Sequence, residues 1–588
     1  MLLYGLGFLD IEDFHTGSAM KNENAAFEVD LVNQLSRKAF EGVLRTLEEP
    51  QNKPLIEANI WNIINTVCLT LKTKQLLQDD TDLDFCRKIL LSLVDHGNPK
   101  EVVVALMEEA DSFKSHEYFC LLLDPLRETL RKVPGKRGKS LEWVLSTLNA
   151  HVQTLALPED ADLQGEEKML LDADPAVQDA NYVLAGYFQF INAFVEEVSL
   201  RNAKNGFEDK PMDRVVHQRE ILQKYILILL DKPFLYHDLS ATEPKSTVRT
   251  LCEDYMAALS KMCGNVFNLF KMDNAKVDMD SEDCDRVTSV AFSNLSYLVF
   301  VEKLAMNFQP FVFSQLFVFA QHIKYVLPLL SKQENLVLFK GLHLGKTLLD
   351  QLEDFEIPHQ SLEMNDFNEF SRLLLSVAIF SKIETHRNMA IKVFLLYVAK
   401  CDWKGRYHLL IQSLETVDHS GAEALMISTY KNYLHQCLTG ETKDTTFLGS
   451  NLKVFLKKVF ILKDGVETDM LENSDRIMAA ANLLRYLLLR DRKDENITGV
   501  WDLVATFSDK FLQPLSTGID LTRAHWKQVS KDHENDRKNE RKGIKTSVTV
   551  GSERLPNMPA HFEKEVFQKA FLTFDLIDLT MSRVRELL

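Results

Sequence analysis

Glycine and proline are scarce in this chain of 588 residues, which contains 22 glycines and 16 prolines. Together they reach about half of the roughly 12% that an average protein devotes to these two residues. An all-β protein needs many turns and would use more of both. A hydrophobic content of 46% with so few turn residues favours long helices joined by short loops. The composition therefore predicts an all-α protein.

Closely paired cysteines are also missing, because the eight cysteines are scattered and no two form a C-x-x-C pair. This spacing excludes the usual paired zinc ligands, and the number is too small for a secreted disulfide scaffold. Most of the cysteines lie in apolar helical runs, where a free thiol packs as a small hydrophobic side chain. We therefore expect a reduced intracellular protein without a metal or cofactor, located in the cytoplasm, with the nucleus as a second compartment.

The chain lacks both a long apolar run and an excess of basic residues. No window approaches the ~20 uncharged apolar residues of a membrane-spanning helix. The apolar start Met1–Asp10 has no basic segment before it and is a poor signal peptide. The formal net charge of −17 disfavours a surface that follows nucleic-acid phosphates. We expect no membrane contact and no nucleic-acid partner.

What the sequence does contain is a nearly unbroken series of amphipathic segments with helical spacing of apolar residues. Pairs of these segments recur at roughly 40 residues, which is the spacing of HEAT or armadillo-like repeats. We therefore predict a HEAT/armadillo-like helical-repeat solenoid in two helical domains. An irregular helical bundle is the alternative.

Charged segments set the predicted domain boundaries. Residues 157–174 carry seven acidic residues against one lysine and are predicted to form a solvated acidic linker. The chain would then comprise a poorly ordered N-terminus over 1–28, N-terminal helical repeats over 29–156 and C-terminal HEAT-like repeats over 175–588. Residues 527–545 are highly charged and lack an apolar stripe. We predict a disordered loop there, or a frayed extension of the preceding helix.

Two motifs resemble active-site signatures but lack required parts. Gly341–Thr347 is one residue too short for the phosphate-binding pattern G-x-x-x-x-G-K-[ST], and Lys340 stands where the first glycine belongs. Its apolar spacing predicts a helix instead. Asp418, His419 and Ser420 are the residue types of a catalytic triad, but a triad needs groups that converge in space. This stretch is more typical of the start of a helix, and we predict no catalytic residue in the chain.

The most distinctive segment, Asn473–Asp491, is predicted to be one helix. It begins with three helix-capping residue types at 473–475, and its apolar residues then recur at steps of four, three and four. Arg476 and Arg490 are fourteen residues apart, close to four turns, so both are predicted on one outer edge. The segment is therefore interpreted as a packing unit with a basic rim.

This segment also carries a resemblance to a known family. Together with Leu555–Pro559 and Phe571–Ile577 it is similar to the C-terminal half of the glomulin family, also called the FKBP-associated proteins. The similarity is densest after His419, whereas Met1–Val29 departs from the family pattern. Weaker matches, in the same order along the chain, are Asn98–Glu101, Tyr297–Val301 and His419–Glu423.

The resemblance implies a function that the residues alone do not indicate. Proteins of this family bind the RING-box subunit of cullin–RING ubiquitin ligases and cover the surface where the ubiquitin-conjugating enzyme docks. It thus implies a non-enzymatic inhibitor whose partners are the RING-box subunit and its cullin, with FKBP-type immunophilins as a further partner. A general helical-repeat scaffold, for example an immunophilin-binding adaptor, is the alternative. The candidate partner-binding residues are Lys431, Arg476 and Arg490, basic groups inside or just beyond the family motifs.

Overall fold

A computed structural model describes most of the chain, and the described residues are predominantly α-helical, as the composition predicted. A short antiparallel pair of two-residue strands, β1 (Thr549–Val550) and β2 (Glu553–Arg554), is the exception to the helical pattern within the described ranges. Those ranges are 18–73, 80–110, 115–133, 137–160, 165–199, 212–241, 245–274, 285–305, 313–540, 549–550, 553–554 and 560–588.

The α-helices are numbered in chain order. The first group is α1 (Ser18–Ser36), α2 (Phe40–Glu48), α3 (Lys53–Thr73), α4 (Asp80–His96), α5 (Pro99–Ala110), α6 (His116–Lys132), α7 (Arg137–Gln153), α8 (Pro175–Val198), α9 (Met212–Asp231), α10 (Thr247–Met262) and α11 (Ser289–Phe300). The second group is α12 (Gln315–Leu330), α13 (Asn335–Asp350), α14 (Asn365–Phe380), α15 (Glu384–Lys400), α16 (Trp403–Thr416), α17 (Ser420–Thr439), α18 (Gly449–Val459), α19 (Ser474–Arg490), α20 (Val504–Phe507), α21 (Gln513–Glu540) and α22 (Ala560–Arg585).

The described chain forms two compact units. Unit 1 holds the residues up to 313 together with 332–344, and unit 2 holds 314–331 together with 345–588. The acidic segment 157–174, which the sequence predicted as a linker between domains, lies within unit 1. Its residues 165–173 form a 3₁₀-helix, and α8 after the segment packs against α6 before it. Solvated charge on a connection does not prevent the flanking helices from sharing a core.

Alternate helices of unit 1 pack side by side. One series of contacts joins α1 to α3, α3 to α5 and α5 to α7, and a second series joins α2 to α4, α4 to α6 and α6 to α8. Each helix therefore meets the helix two places along the chain, which is how stacked helical pairs bury their apolar faces. This packing is that of a helical-repeat array.

Local capping signals place several helix starts. Asp174 accepts a hydrogen bond from the backbone N–H of Ala176 at 2.8 Å, and Pro175 is the first residue of α8. Asn98 Oδ1 likewise accepts from the backbone N–H of Lys100 at the start of α5. A side-chain acceptor and an early proline satisfy or remove the free amides of a first turn.

The N-terminal end of the array differs from the prediction. α1 begins at Ser18, so residues 18–28 are helical and not poorly ordered, while residues 1–17 lie outside the described ranges. α1 and α2 are separate helices, because Lys38 between them adopts a left-handed φ of 57°. A non-glycine residue in that conformation cannot continue a right-handed helix.

The charged segment near the C-terminus is helical over most of its length. α21 continues to Glu540, so the disordered loop predicted over 527–545 was wrong for 527–540, and the helical extension is correct there. Residues 541–545 lie outside the described ranges. Lysine, glutamate and arginine have high helix propensity and can prolong a helix that is already nucleated.

The described part of the chain gives no sign of a membrane span or a metal centre. None of its helices is long and apolar enough to cross a bilayer. It also brings together no set of three histidine, cysteine or acidic side chains that could hold a metal ion. The seven described cysteines are free thiols, and five of them are buried. Burial raises the pKa of one of these, Cys401, to about 12, as expected for a thiol that packs as an apolar side chain.

Candidate partner-binding surface

The three candidate residues lie on α17 and α19, two helices of unit 2 that pack together and run in the same direction. Near their starts the backbone N–H of Arg476 donates to Ser420 Oγ at 3.1 Å. Near their ends Arg490 Nη2 donates to the carbonyl of Leu438 at 3.2 Å. Contacts that advance together along both helices show a parallel pair, with α18 as the connection between them.

Arg476 is buried, with 4% of its surface exposed. Its Nη1 donates to the carbonyl of Ile461 at 3.0 Å, and its Nη2 donates to the carbonyls of Lys458 and Val459, both at 3.3 Å. These carbonyls lie at or just beyond the end of α18, where the last turn of a helix leaves carbonyls without partners inside the helix. Arg476 therefore caps the C-terminus of α18.

The charge of Arg476 is matched inside the protein by Glu423, which is 2% exposed. Arg476 Nε lies 2.5 Å from Glu423 Oε2, and Lys463 Nζ lies 2.6 Å from Glu423 Oε1 and 2.5 Å from Asp418. Burial lowers the pKa of Arg476, and Glu423 opposes that shift. Burial by itself would lower the pKa of Lys463. Its hydrogen bonds to Asp418 and Glu423 together have a larger effect, so the pKa of Lys463 is raised.

The prediction that Arg476 and Arg490 share an outer basic edge was wrong for Arg476. The spacing of fourteen residues aligns them along α19, but α17 and the end of α18 cover the helix at Arg476. Arg490 is exposed in the last turn. Because the guanidinium of Arg476 is engaged by Glu423 and by backbone carbonyls, it is a structural group here. Charge reversal at Arg476 would place two carboxylates together in the core.

Lys431 and Arg490 border the same exposed seam between α17 and α19. Lys431 is half-buried and shares a face of α17 with His435 and Leu438, four and seven residues further on. His435 Nδ1 lies 2.8 Å from Tyr486 Oη, and Leu438 accepts the bond from Arg490. Burial raises the pKa of Tyr486, and the charge of Arg490 opposes that rise. We call Lys431, His435, Tyr486 and Arg490 the α17/α19 strip.

The sequence missed two members of this strip. The histidine could have been found because it lies one helical turn after Lys431. The tyrosine, on α19, carries no such signal, because its pairing with His435 depends on the register between two helices.

The triad-like residues at the start of α17 do not converge into a catalytic site. His419 Nδ1 accepts from the backbone N–H of Ala422 at 3.3 Å and so caps α17. Ser420 caps the start of α19, and Asp418 pairs with Lys463. The interpretation of this stretch as a helix start is confirmed.

The glycine-containing segment Gly341–Thr347 lies inside α13, as its apolar spacing predicted. Lys340 is 1% exposed, and its Nζ donates to the carbonyls of Phe234 at 3.1 Å and Leu235 at 2.6 Å. Burial lowers the pKa of Lys340 to about 7. A lysine held by backbone carbonyls inside a helix cannot cradle a phosphate.

Comparison with known proteins agrees with the resemblance in the sequence. The model of the family described as "Uncharacterised protein family, YAP/Alf4/glomulin" matches residues 10–289 and 295–563. Glomulin of Mus musculus is 30% identical over 560 residues, which cover 93% of this chain and 90% of the relative. Glomulin of Homo sapiens is 30% identical over 561 residues with the same coverage.

Among solved structures, a mutant of Kap121p is 11% identical to this chain, with a TM-score of 0.18. The match covers 82% of this chain and 56% of the Kap121p chain. The family match begins at residue 10, so much of the segment Met1–Val29, expected to depart from the family, belongs to it. Since the match extends over nearly the entire sequence, this chain belongs to the YAP/Alf4/glomulin family.

Proposed function

We propose that this protein is a non-enzymatic inhibitor of cullin–RING ubiquitin ligases. In this proposal it binds the RING-box subunit and blocks docking of the ubiquitin-conjugating enzyme. The observation that carries the proposal is membership of the glomulin family over nearly the whole chain. A helical-repeat surface suits this role, because it can cover a broad patch on a partner without a pocket.

The proposed contact surface includes Lys431 and Arg490 of the α17/α19 strip. Arg476 supports it from inside, because its bonds fix α18 against α19 and its ion pair with Glu423 joins α17 to them. The ring of Tyr430 also stacks on Phe455, with centroids 3.5 Å apart, and holds α17 against α18. A surface already ordered before binding loses less conformational entropy when a partner docks.

A reconstituted cullin–RING ligase provides the first test. Addition of this protein should slow ubiquitin transfer, and a higher concentration of the ubiquitin-conjugating enzyme should relieve the inhibition, because both compete for one surface. Inhibition that does not weaken as the conjugating enzyme is raised would contradict competition as the mechanism.

The double variant Lys431→Glu/Arg490→Glu tests the surface. Its affinity for the RING-box subunit, measured by calorimetry, should fall by about 2–4 kcal/mol, because each reversal removes an attraction and adds a repulsion. The matched control is Lys457→Glu/Lys510→Glu, which makes the same charge change at exposed residues outside the strip. Both variants should melt near the parent temperature, since charges at the protein surface typically contribute about 1 kcal/mol or less to stability. Equal affinities of the two variants would place the interface elsewhere.

The alternative function, a general helical-repeat scaffold such as an immunophilin-binding adaptor, predicts a different set of partners. A pull-down from the cytoplasm, with the nuclear fraction as a second sample, should recover a cullin together with its RING-box subunit. Recovery of an FKBP-type immunophilin without either ligase subunit would favour the adaptor over the inhibitor.

A further inference from the structure

The last helix, α22, has apolar residues on two opposite faces. One face packs against α19 and α21, where Thr580 contacts Met478 and Arg523 pairs with Asp575 and Asp578. Its buried residues are Ala570, Phe574, Ile577, Met581 and Val584. The other face carries three leucines, Leu572, Leu576 and Leu579, which are 59%, 47% and 50% exposed. A helix that only closed a core would present polar residues there.

The exposed leucines belong to a longer regular series, which we call the outer stripe. Its members recur at steps of four, three, four, three and four, the average spacing of 3.5 residues that keeps one helix face against a partner helix. The charged members are exposed as well. The outer stripe consists of Glu565, Lys569, Leu572, Leu576, Leu579 and Arg583.

The outer stripe is complementary to itself when it is reversed about residue 574. Glu565 and Arg583 lie nine residues on either side of this point, about 13 Å along the axis at 1.5 Å per residue. Leu572 and Leu576 lie two residues on either side. Lys569 and Leu579 lie five residues on either side, where the alkyl part of a lysine can cover a leucine.

We propose that the outer stripe binds a second copy of this chain through an antiparallel, two-fold pair of α22 helices. A two-fold contact requires a surface that complements itself. The pair would bury the leucines of both copies against each other and place Glu565 of each copy beside Arg583 of the other. Steps that read the same in both directions, with opposite charges at the two ends, meet that requirement.

The size of the stripe sets the strength of the pairing. Stable complexes bury roughly 800 Å² on each partner, and one face of a single helix offers less. The pairing is therefore weak and depends on concentration. It is inferred from the residues of α22 and does not rest on the function proposed above.

Sedimentation velocity on the full chain tests the pairing, over about two decades of concentration around a micromolar dissociation constant. The parent should shift from monomer to dimer. Leu576→Glu should raise the dissociation constant about tenfold or more, because it puts two carboxylates at the centre of the pair. Leu489→Glu, at a leucine of α19 that is 59% exposed, is the matched control and should pair like the parent. A thermal melt of each variant verifies folding.

A charge exchange separates this pairing from any other self-association. Glu565→Arg alone and Arg583→Glu alone should each weaken the dimer about fivefold, because each places like charges together. The double variant Glu565→Arg/Arg583→Glu should return to within about twofold of the parent, since the opposite charges then meet in reverse order. A parent that stays monomeric over the whole range, or a double variant as weak as the single ones, would overturn the proposal.

Discussion

Replacement of Arg476 by alanine is expected to destabilise the region of α17, α18 and α19 by about 3 kcal/mol. Removal of one member of a buried ion pair typically costs about 3–5 kcal/mol, because it leaves an uncompensated charge in the interior. Here Lys463 remains 2.6 Å from Glu423, which moves the expected cost to the lower end of that range. The carbonyls at the end of α18 also lose their donor.

Hydrogen exchange of the full chain is the suitable measurement, since a protein with two units need not unfold in one step. A loss of about 3 kcal/mol corresponds to roughly hundredfold faster exchange wherever the region opens as a unit. Arg490→Ala is the matched control, because it removes an exposed arginine from the same helix with one bond to Leu438. Its cost should stay below about 1 kcal/mol.

A second variant separates the two contributions to this loss. Glu423→Gln combined with Arg476→Ala removes the buried carboxylate charge as well, so it should be less unstable than Arg476→Ala alone if the unpaired charge dominates. Exchange in Arg476→Ala that matches the Arg490→Ala control would refute the buried role. Arg476 would then return to the candidates for direct partner binding.

Three further predictions concern other parts of the chain. Burial lowers the pKa of Lys340 from 10.5 to about 7, so the folded chain binds fewer protons than the unfolded chain between these values. The unfolding free energy measured in urea should therefore increase by several kcal/mol from pH 7 to 10, and Lys340→Met should flatten that increase. An equal increase in the parent and in the variant would contradict the assignment to Lys340. Deletion of 561–588 should lower exchange protection across 474–514 and abolish inhibition, because it uncovers apolar surface worth ~1.5–3 kcal/mol per large side chain. Unaltered protection there would leave direct partner contact as the reason for any lost inhibition. ATP with magnesium should leave the melting temperature unchanged, since Lys340 is held by carbonyls; a rise would contradict this.

The helix α19 shows how far sequence reasoning reached. It was predicted within Asn473–Asp491, and the structure places it over Ser474–Arg490. The reason for its start is different, because the side chain of Asn473 makes no capping bond and instead donates to the carbonyl of Asp469. The acceptor that satisfies the first turn is Ser420, which belongs to α17. Apolar spacing located the helix, and a residue distant in sequence completed its cap.

The sequence by itself determined the helical class, the position of α19 and the family, because apolar periodicity and capping residues act within a few neighbouring positions. The tertiary structure decided which charged residues are accessible. Arg476 and Arg490 have equivalent positions on one helix, yet only Arg476 meets Glu423 and the end of α18. The structure also decided where the units divide and which face of α22 stays exposed. These properties depend on contacts between residues far apart in the chain, which no local pattern encodes.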